Sequence, residues 1–201
     1  MRFLCKASAD LEPYHGLSYS TLADRDTARD ALTRVQFGFC AYSERCLRPL
    51  DSVDIEHFDP RKKGTNQDGI ENWHAVLHWM NSHKARKIEP YLPLPPLNGL
   101  IPDRIRYERG QFCCRDGDVE SDNLLKFLGV NRPEVAEERK KHVERVRRVK
   151  DWCERLGEDL HSFLQADPDY LSFASALEAE LGIPAFDLIV QQSQRDSCSR
   201  A

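Results

Sequence analysis

A chain of 201 residues with 40% hydrophobic and 31% charged side chains has enough apolar mass for one compact domain with an appended helical lobe. Its formal net charge of −4 excludes a protein that coats nucleic acid with its whole surface, so any phosphate contact has to be local or supplied by a partner. No apolar run is long enough to span a bilayer, Met1–Lys6 lacks the apolar core of a signal peptide, and the seven cysteines are scattered, so a reducing cytoplasm is expected and no membrane. Ala28, Ala31, Leu32 and Val35 share one helical face, which predicts an amphipathic helix over 24–36, ended by Gly38. Residues 39–50 read as turns, and Val53–Asp54–Ile55 alternates as a strand does. Residues 61–69 form a polar loop with two glycines. Residues 89–102 hold five prolines and read as a connector rather than a regular element. Residues 105–112 predict one strand that enters a turn at Asp116–Gly117.

The second half reads as helical. A short helix over 122–128 stops at Gly129, and Asn131 is placed to cap a long helix with Pro133 in its first turn. Val135, Val143, Val146, Val149, Trp152, Leu156 and Leu160 keep helical spacing and carry it to about Gln165. Its Arg- and Lys-rich face over 139–150 reads first as a solvated surface and only second as a phosphate-binding stripe. Pro168 interrupts the pattern, a last helix covers 170–181 before Gly182, and the polar residues 191–201 are expected to fray. Leu171, Phe173, Leu177 and Leu181 offer a second apolar surface, expected either to dock a partner or to close the core of a monomer.

The chemistry concentrates in residues 40–87, around Asp54–Ile55–Glu56–His57–Phe58–Asp59–Pro60. A carboxylate beside an imidazole at a strand end divides two tasks: the carboxylate holds a hard cation, and the imidazole takes a proton from water. Phosphodiester hydrolysis uses both. Asn72 follows across the polar loop, and Asn81–Ser82–His83–Lys84 follows Asn72 across an apolar run. The same stretch clusters the bases Arg61, Lys62, Lys63, Lys84, Arg86 and Lys87. These are the candidate nucleic-acid contacts.

The order Glu-His, loop, Asn, apolar run, Asn-x-x-Lys resembles the HNH, or ββα-metal, nuclease motif. The C-A-Y-x-E-R run at 40–45, the I-E-H-F-x-P run at 55–60 and the distal block from Tyr107 to Arg139 are similar to PtuB-type HNH proteins, which act with ABC-class ATPases in Septu and retron-linked anti-phage systems. The resemblance implies an α+β fold, a ββα core embedded in a mainly helical domain. It implies His57 as general base, Asn72 as the brace of its loop, and Glu56 with Asn81 or His83 as ligands of one divalent ion, Mg or Mn. It also implies a PtuA-like ABC-class ATPase partner and a DNA or RNA substrate. On this reading residues 1–100 hold N-terminal helices and the nuclease core, with its motif at 40–87, residues 101–190 form a partner-docking helical lobe, and 191–201 are a tail.

Two departures bear on that expectation. Many HNH proteins carry a zinc ribbon of paired cysteines, but Ser43 stands where the first knuckle's second Cys belongs, and Leu77 and Met80 occupy the second knuckle. No structural zinc is expected, and a site built from Cys40, Cys46, His74 and His78 is the weaker alternative, those histidines reading as surface or edge residues. Trp73, Val76, Leu77 and Met80 are also at helical spacing, whereas the motif wants a strand; a hairpin followed by a helix from His78 is the expected resolution. His57 is read as a surface imidazole. Two further functional readings stand beside the nuclease: a degenerate HNH-fold adaptor that docks the ATPase, and a globular domain in which the constellation is chance.

Overall fold

A computed structural model describes residues 1–6, 8–84, 89, 91–97 and 101–198, and its fold is α+β. After a single turn at Ser8–Leu11 (α1), helix α2 spans Leu22–Val35, with the Thr21 side chain accepting from the Asp24 amide as its N-cap. Strands β1 (Val53–His57) and β2 (Trp73–Leu77) pair antiparallel, with Val53 opposite Leu77 and His57 opposite Trp73. Helix α3, His78–His83, follows β2 without a loop, as the hairpin-then-helix expectation required.

The helical spacing in 73–80 has a different cause from a helix. Every residue of β2 is buried, because apolar groups cover both faces of the hairpin. Ile55, Trp73 and Ala75 pack with Leu11, Ala28, Ala31, Leu32 and Ile70 on one side. Val76, Leu77 and Met80 join the main core on the other. A strand buried on both faces has no polar alternation to show. Leu77 and Met80 thus sit in the core at the positions where a zinc knuckle would need cysteines.

Past the connector, where Leu94 and Leu97 pack on the main core, α4 is a single turn at Ile101–Arg104. The expected single strand is in fact a hairpin, β3 (Ile105–Glu108) and β4 (Gln111–Cys114), turning at Arg109 and Gly110. Both turn residues have positive φ, 51° and 85°, as a tight two-residue hairpin needs. Arginine at such a place gives no turn signal in the sequence. Helix α5, Val119–Leu128, starts three residues earlier than expected because Asp118 caps it through the Ser121 amide at 3.1 Å. Asn131 does not cap the next helix: its side chain bonds both the N–H and the C=O of Phe112, and Arg132 holds the N-cap position of α6, Pro133–Leu156.

Helix α6 ends at Gly157, φ 71°, rather than near Gln165, and Asp159 caps a separate α7, Leu160–Ala166. A 3-10 turn at Pro168–Leu171 leads to α8 (Ala174–Leu181) and then α9 (Ala185–Cys198). The expected fraying from residue 191 is replaced by helix to Cys198, held through Leu188, Ile189 and the bond from the Gln192 amide to the Gln165 carbonyl.

One apolar core includes Phe3, Phe39, Tyr42, Val76 and Met80 together with Leu124, Val143, Leu164, Leu177 and Ile189, and so crosses the expected boundary at residue 100. Leu171, Phe173, Leu177 and Leu181 lie inside it, so the apolar docking surface expected there is interior. Arg139 is also interior, not part of a solvated face: it donates to the carbonyls of Gly110 and Val130 and lies over the rings of Tyr107 and Phe112. No helix among the described residues is long and apolar enough to cross a membrane.

Candidate active site

The hairpin sets the geometry. Successive side chains of a strand leave opposite faces, so Glu56 and His57 diverge although they are neighbours in sequence. Asp54 and Glu56 face α3, and His57 faces α2 and the 12–21 segment. His57 is not a surface imidazole: it is 3% exposed, with the Tyr19 ring edge-on at 4.7 Å and Trp73 at 6.1 Å. Its Nε2 lies 2.9 Å from Asp68 Oδ1, close but poorly aligned for a hydrogen bond. That same oxygen accepts from Trp73 Nε1 at 2.6 Å, and Oδ2 accepts from the Gly64 amide at 2.7 Å. Burial pushes the His57 pKa below the ordinary histidine value, and the Asp68 charge offsets only part of that. For Asp68 burial acts upward, but the bonds from Gly64 and Trp73 and the nearby His57 imidazole outweigh it and hold the carboxyl below the usual carboxylate range.

Asn72 closes the loop behind His57. Its Oδ1 accepts from the Asp59 amide at 2.9 Å and its Nδ2 donates to the Asp59 carbonyl at 3.0 Å, while the Phe58 amide donates to the Asn72 carbonyl at 2.8 Å. This side chain thereby pairs both backbone groups of the residue two past His57, as the next rung of the hairpin would. Lys6 supports the same corner from behind, donating to the carbonyls of Ile70 and Trp73; burial lowers its pKa to about 7.

On the other face, Lys84 is buried and donates to the Glu56 carboxylate and, at 2.6 Å, to the His57 carbonyl, with its ammonium over the Phe127 ring. Burial lowers the Lys84 pKa, against the pull of Glu56. Lys84 is therefore an internal partner of Glu56 and not one of the exposed bases expected to meet phosphate. Asn81 does not contact Glu56: its amide donates to Asp54 Oδ2 at 2.8 Å, and His78 Nδ1 donates to the same oxygen at 2.8 Å. His83 stacks on Trp79 at 4.1 Å and bonds the Trp79 carbonyl, so its contacts are with its own helix.

Of the basic cluster, Arg61 and Lys63 are exposed and Lys62 is half-buried. Arg61 pairs with Asp59 and bonds the Leu92 carbonyl, and Lys63 lies 5.0 Å from the Tyr19 ring centre. Arg86 and Lys87 lie outside the described residues. The alternative zinc set does not converge. Cys40 Sγ accepts from the Leu77 amide, His74 is fully buried against the Leu4 carbonyl rather than at the surface, and His78 turns to Asp54. Among the described residues, no three His, Cys, Asp or Glu side chains gather as a metal cluster.

Comparison with family models, with curated proteins and with solved structures finds no match for this chain. The structure adds two residues to the neighbourhood that the sequence reading did not assign to it, Asp68 beside His57 and Asp54 beside Asn81, and gives Lys84 a different part. Asp68 had a sequence cue, a lone acid flanked by loop glycines and four residues before Asn72. Asp54 had one too, since it stands two residues before Glu56 and so shares its face of the strand.

Proposed function

We propose that this chain is an HNH-type endonuclease that hydrolyses phosphodiester bonds in DNA or RNA, with His57 as general base. The observation that carries the reading is the Asn72 clasp on Asp59, which fixes the loop immediately after a strand-terminal imidazole. It goes with the order strand, loop, strand, helix on which Glu56–His57, Asn72 and Asn81 fall. In this reading neutral His57 takes the proton of a water as it attacks phosphorus and the ester oxygen leaves. Burial favours the neutral imidazole, the Asp68 carboxylate lies beside the ring, and Arg61, Lys62 and Lys63 on the adjoining loop meet the phosphates. Access to the ring requires the Tyr19 segment to move aside.

The family resemblance implies one divalent ion on Glu56 and Asn81, or His83. Those groups do not fit it as arranged. The Glu56 charge is already answered by a buried ammonium, Asn81 turns to Asp54 and not to Glu56, and His83 is held by Trp79. The same two features, a base at 3% exposure and a neutralised Glu56, favour a second reading, an HNH-fold adaptor without catalysis. Both readings keep the cytoplasmic anti-phage setting and the PtuA-like ABC-class ATPase as partner.

The test is cleavage of plasmid DNA, single-stranded DNA and RNA by the chain alone and co-expressed with such an ATPase, beside His57→Gln. Cleavage lost in the variant supports the nuclease. Equal activity in both proteins removes His57 from the mechanism, and a wild-type chain that binds the ATPase but cleaves nothing supports the adaptor.

A further inference from the structure

Among the described residues, no Lys or Arg side chain answers the charge of the Asp54 carboxylate. The Asp54 side chain is 27% exposed; its partners are the imidazole of His78 and the amide of Asn81. Glu56, two residues along the same face, has the Lys84 ammonium. The difference matters because a partly desolvated, uncompensated carboxylate favours a cation more than a paired one does.

One Asp54 oxygen stands beside a nitrogen of each of the other two side chains. His78 and Asn81 are three residues apart on α3 and share a face, and β1 brings Asp54 against that face. The Asp54 Oδ2 atom lies 2.8 Å from His78 Nδ1 and 2.8 Å from the Asn81 amide nitrogen. Metal–ligand bonds of roughly 2.0–2.2 Å at right angles put adjacent donors about 3 Å apart, so little movement is needed. A half-turn of the Asn81 amide puts its oxygen where the nitrogen now stands. The His78 side chain is 62% exposed, which leaves the outer half of the sphere open to water or to a ligand.

We propose that Asp54, His78 and Asn81 form a binding site for a divalent d-block cation that accepts mixed nitrogen and oxygen ligands, such as Mn2+ or Zn2+. One imidazole, one carboxylate and one amide oxygen suit such ions better than Ca2+ or Mg2+, which favour all-oxygen shells. The site shares Asn81 with the ligand set that the HNH resemblance implies, but it replaces Glu56 and His83 by Asp54 and His78. It needs neither His57 nor a nucleic acid, so it stands apart from the nuclease reading.

The experiment titrates the full-length protein with Mn2+, read by the loss of free-ion electron paramagnetic resonance signal and by paramagnetic broadening of the histidine ring protons. Saturable binding that broadens His78 before the other histidines is expected. His78→Ala and Asp54→Asn should each weaken it at least about ten-fold, since loss of a residue that merely orients a ligand already costs that much. His78 is exposed enough for its variant to fold even if Asp54→Asn does not, and circular dichroism checks both. Binding that survives both variants but is lost in Glu56→Gln overturns the proposal and returns the ion to the place the resemblance implies. Absence of Mn2+ and Zn2+ binding to the wild-type protein also overturns it, and leaves the role of His57 to the cleavage assay.

Discussion

Replacing Asn72 by alanine removes two hydrogen bonds and keeps everything else about the hairpin corner. The side chain is 4% exposed, and its two bonds of 2.9 and 3.0 Å are the pair that closes on the Asp59 backbone. A typical intramolecular hydrogen bond contributes about 1 kcal/mol net, and a polar group left buried without a partner costs roughly 1–3 kcal/mol. Asp59 is half-buried, so water recovers part of that second cost. The expected loss is about 2–3 kcal/mol, which for a chain of this size lowers Tm by roughly 4–12 °C. Urea unfolding followed by circular dichroism measures it as a fall in the midpoint at unchanged slope. Asn72→Asp should fall in between, because it still accepts from the Asp59 amide but sets a carboxylate against the Asp59 carbonyl. A loss below about 0.5 kcal/mol, the range of an ordinary surface substitution, would refute the claim that this side chain closes the corner.

Other outcomes follow from the same geometry. His57→Gln should abolish cleavage, and the acid limb of the wild-type rate profile should have its midpoint below 6.5, since burial depresses that imidazole; a midpoint above 6.5 contradicts the assignment. His142 donates from Nε2 to the Tyr170 carbonyl and accepts from Arg145 at Nδ1, and burial lowers its pKa from 6.5 to about 4. The unfolded chain therefore binds the proton first: the stability tied to His142 is whole above pH 6.5 and is lost as pH falls towards 4, on the order of 3 kcal/mol in all. Urea midpoints of His142→Gln and wild type at about pH 7.5 and about pH 5 should converge on acidification, and a difference that ignores pH argues against it. Arg139→Ala should cost about 3 kcal/mol or more, because it strands the carbonyls of Gly110 and Val130 and empties a space between two rings; thermal unfolding close to wild type would show that those contacts are dispensable.

What could be read from the chain itself was whatever local chemistry enforces. The apolar face of 24–36, the strand at 53, the start of a helix at His78 and the stops at Gly129 and Gly182 all follow from periodicity and from glycine's tolerance of positive φ. Local spacing also brought together Glu56, His57, Asn72 and Asn81 as a constellation worth testing. Facing and burial were decided only by tertiary structure. The helix through 191–198 depends on partners, Gln165 among them, that no window of sequence contains. A long apolar stripe over 171–181 reads the same whether another protein or the rest of this chain covers it; here the chain's own N-terminal residues and α6 do so. Likewise nothing in the string Asp-Ile-Glu-His says that Lys84 will neutralise the glutamate, that Tyr19 will cover the histidine, or that Asp54 will take Asn81. Those pairings join residues 27 to 38 positions apart, and only the packing of α2 and α3 on opposite faces of one hairpin selects them.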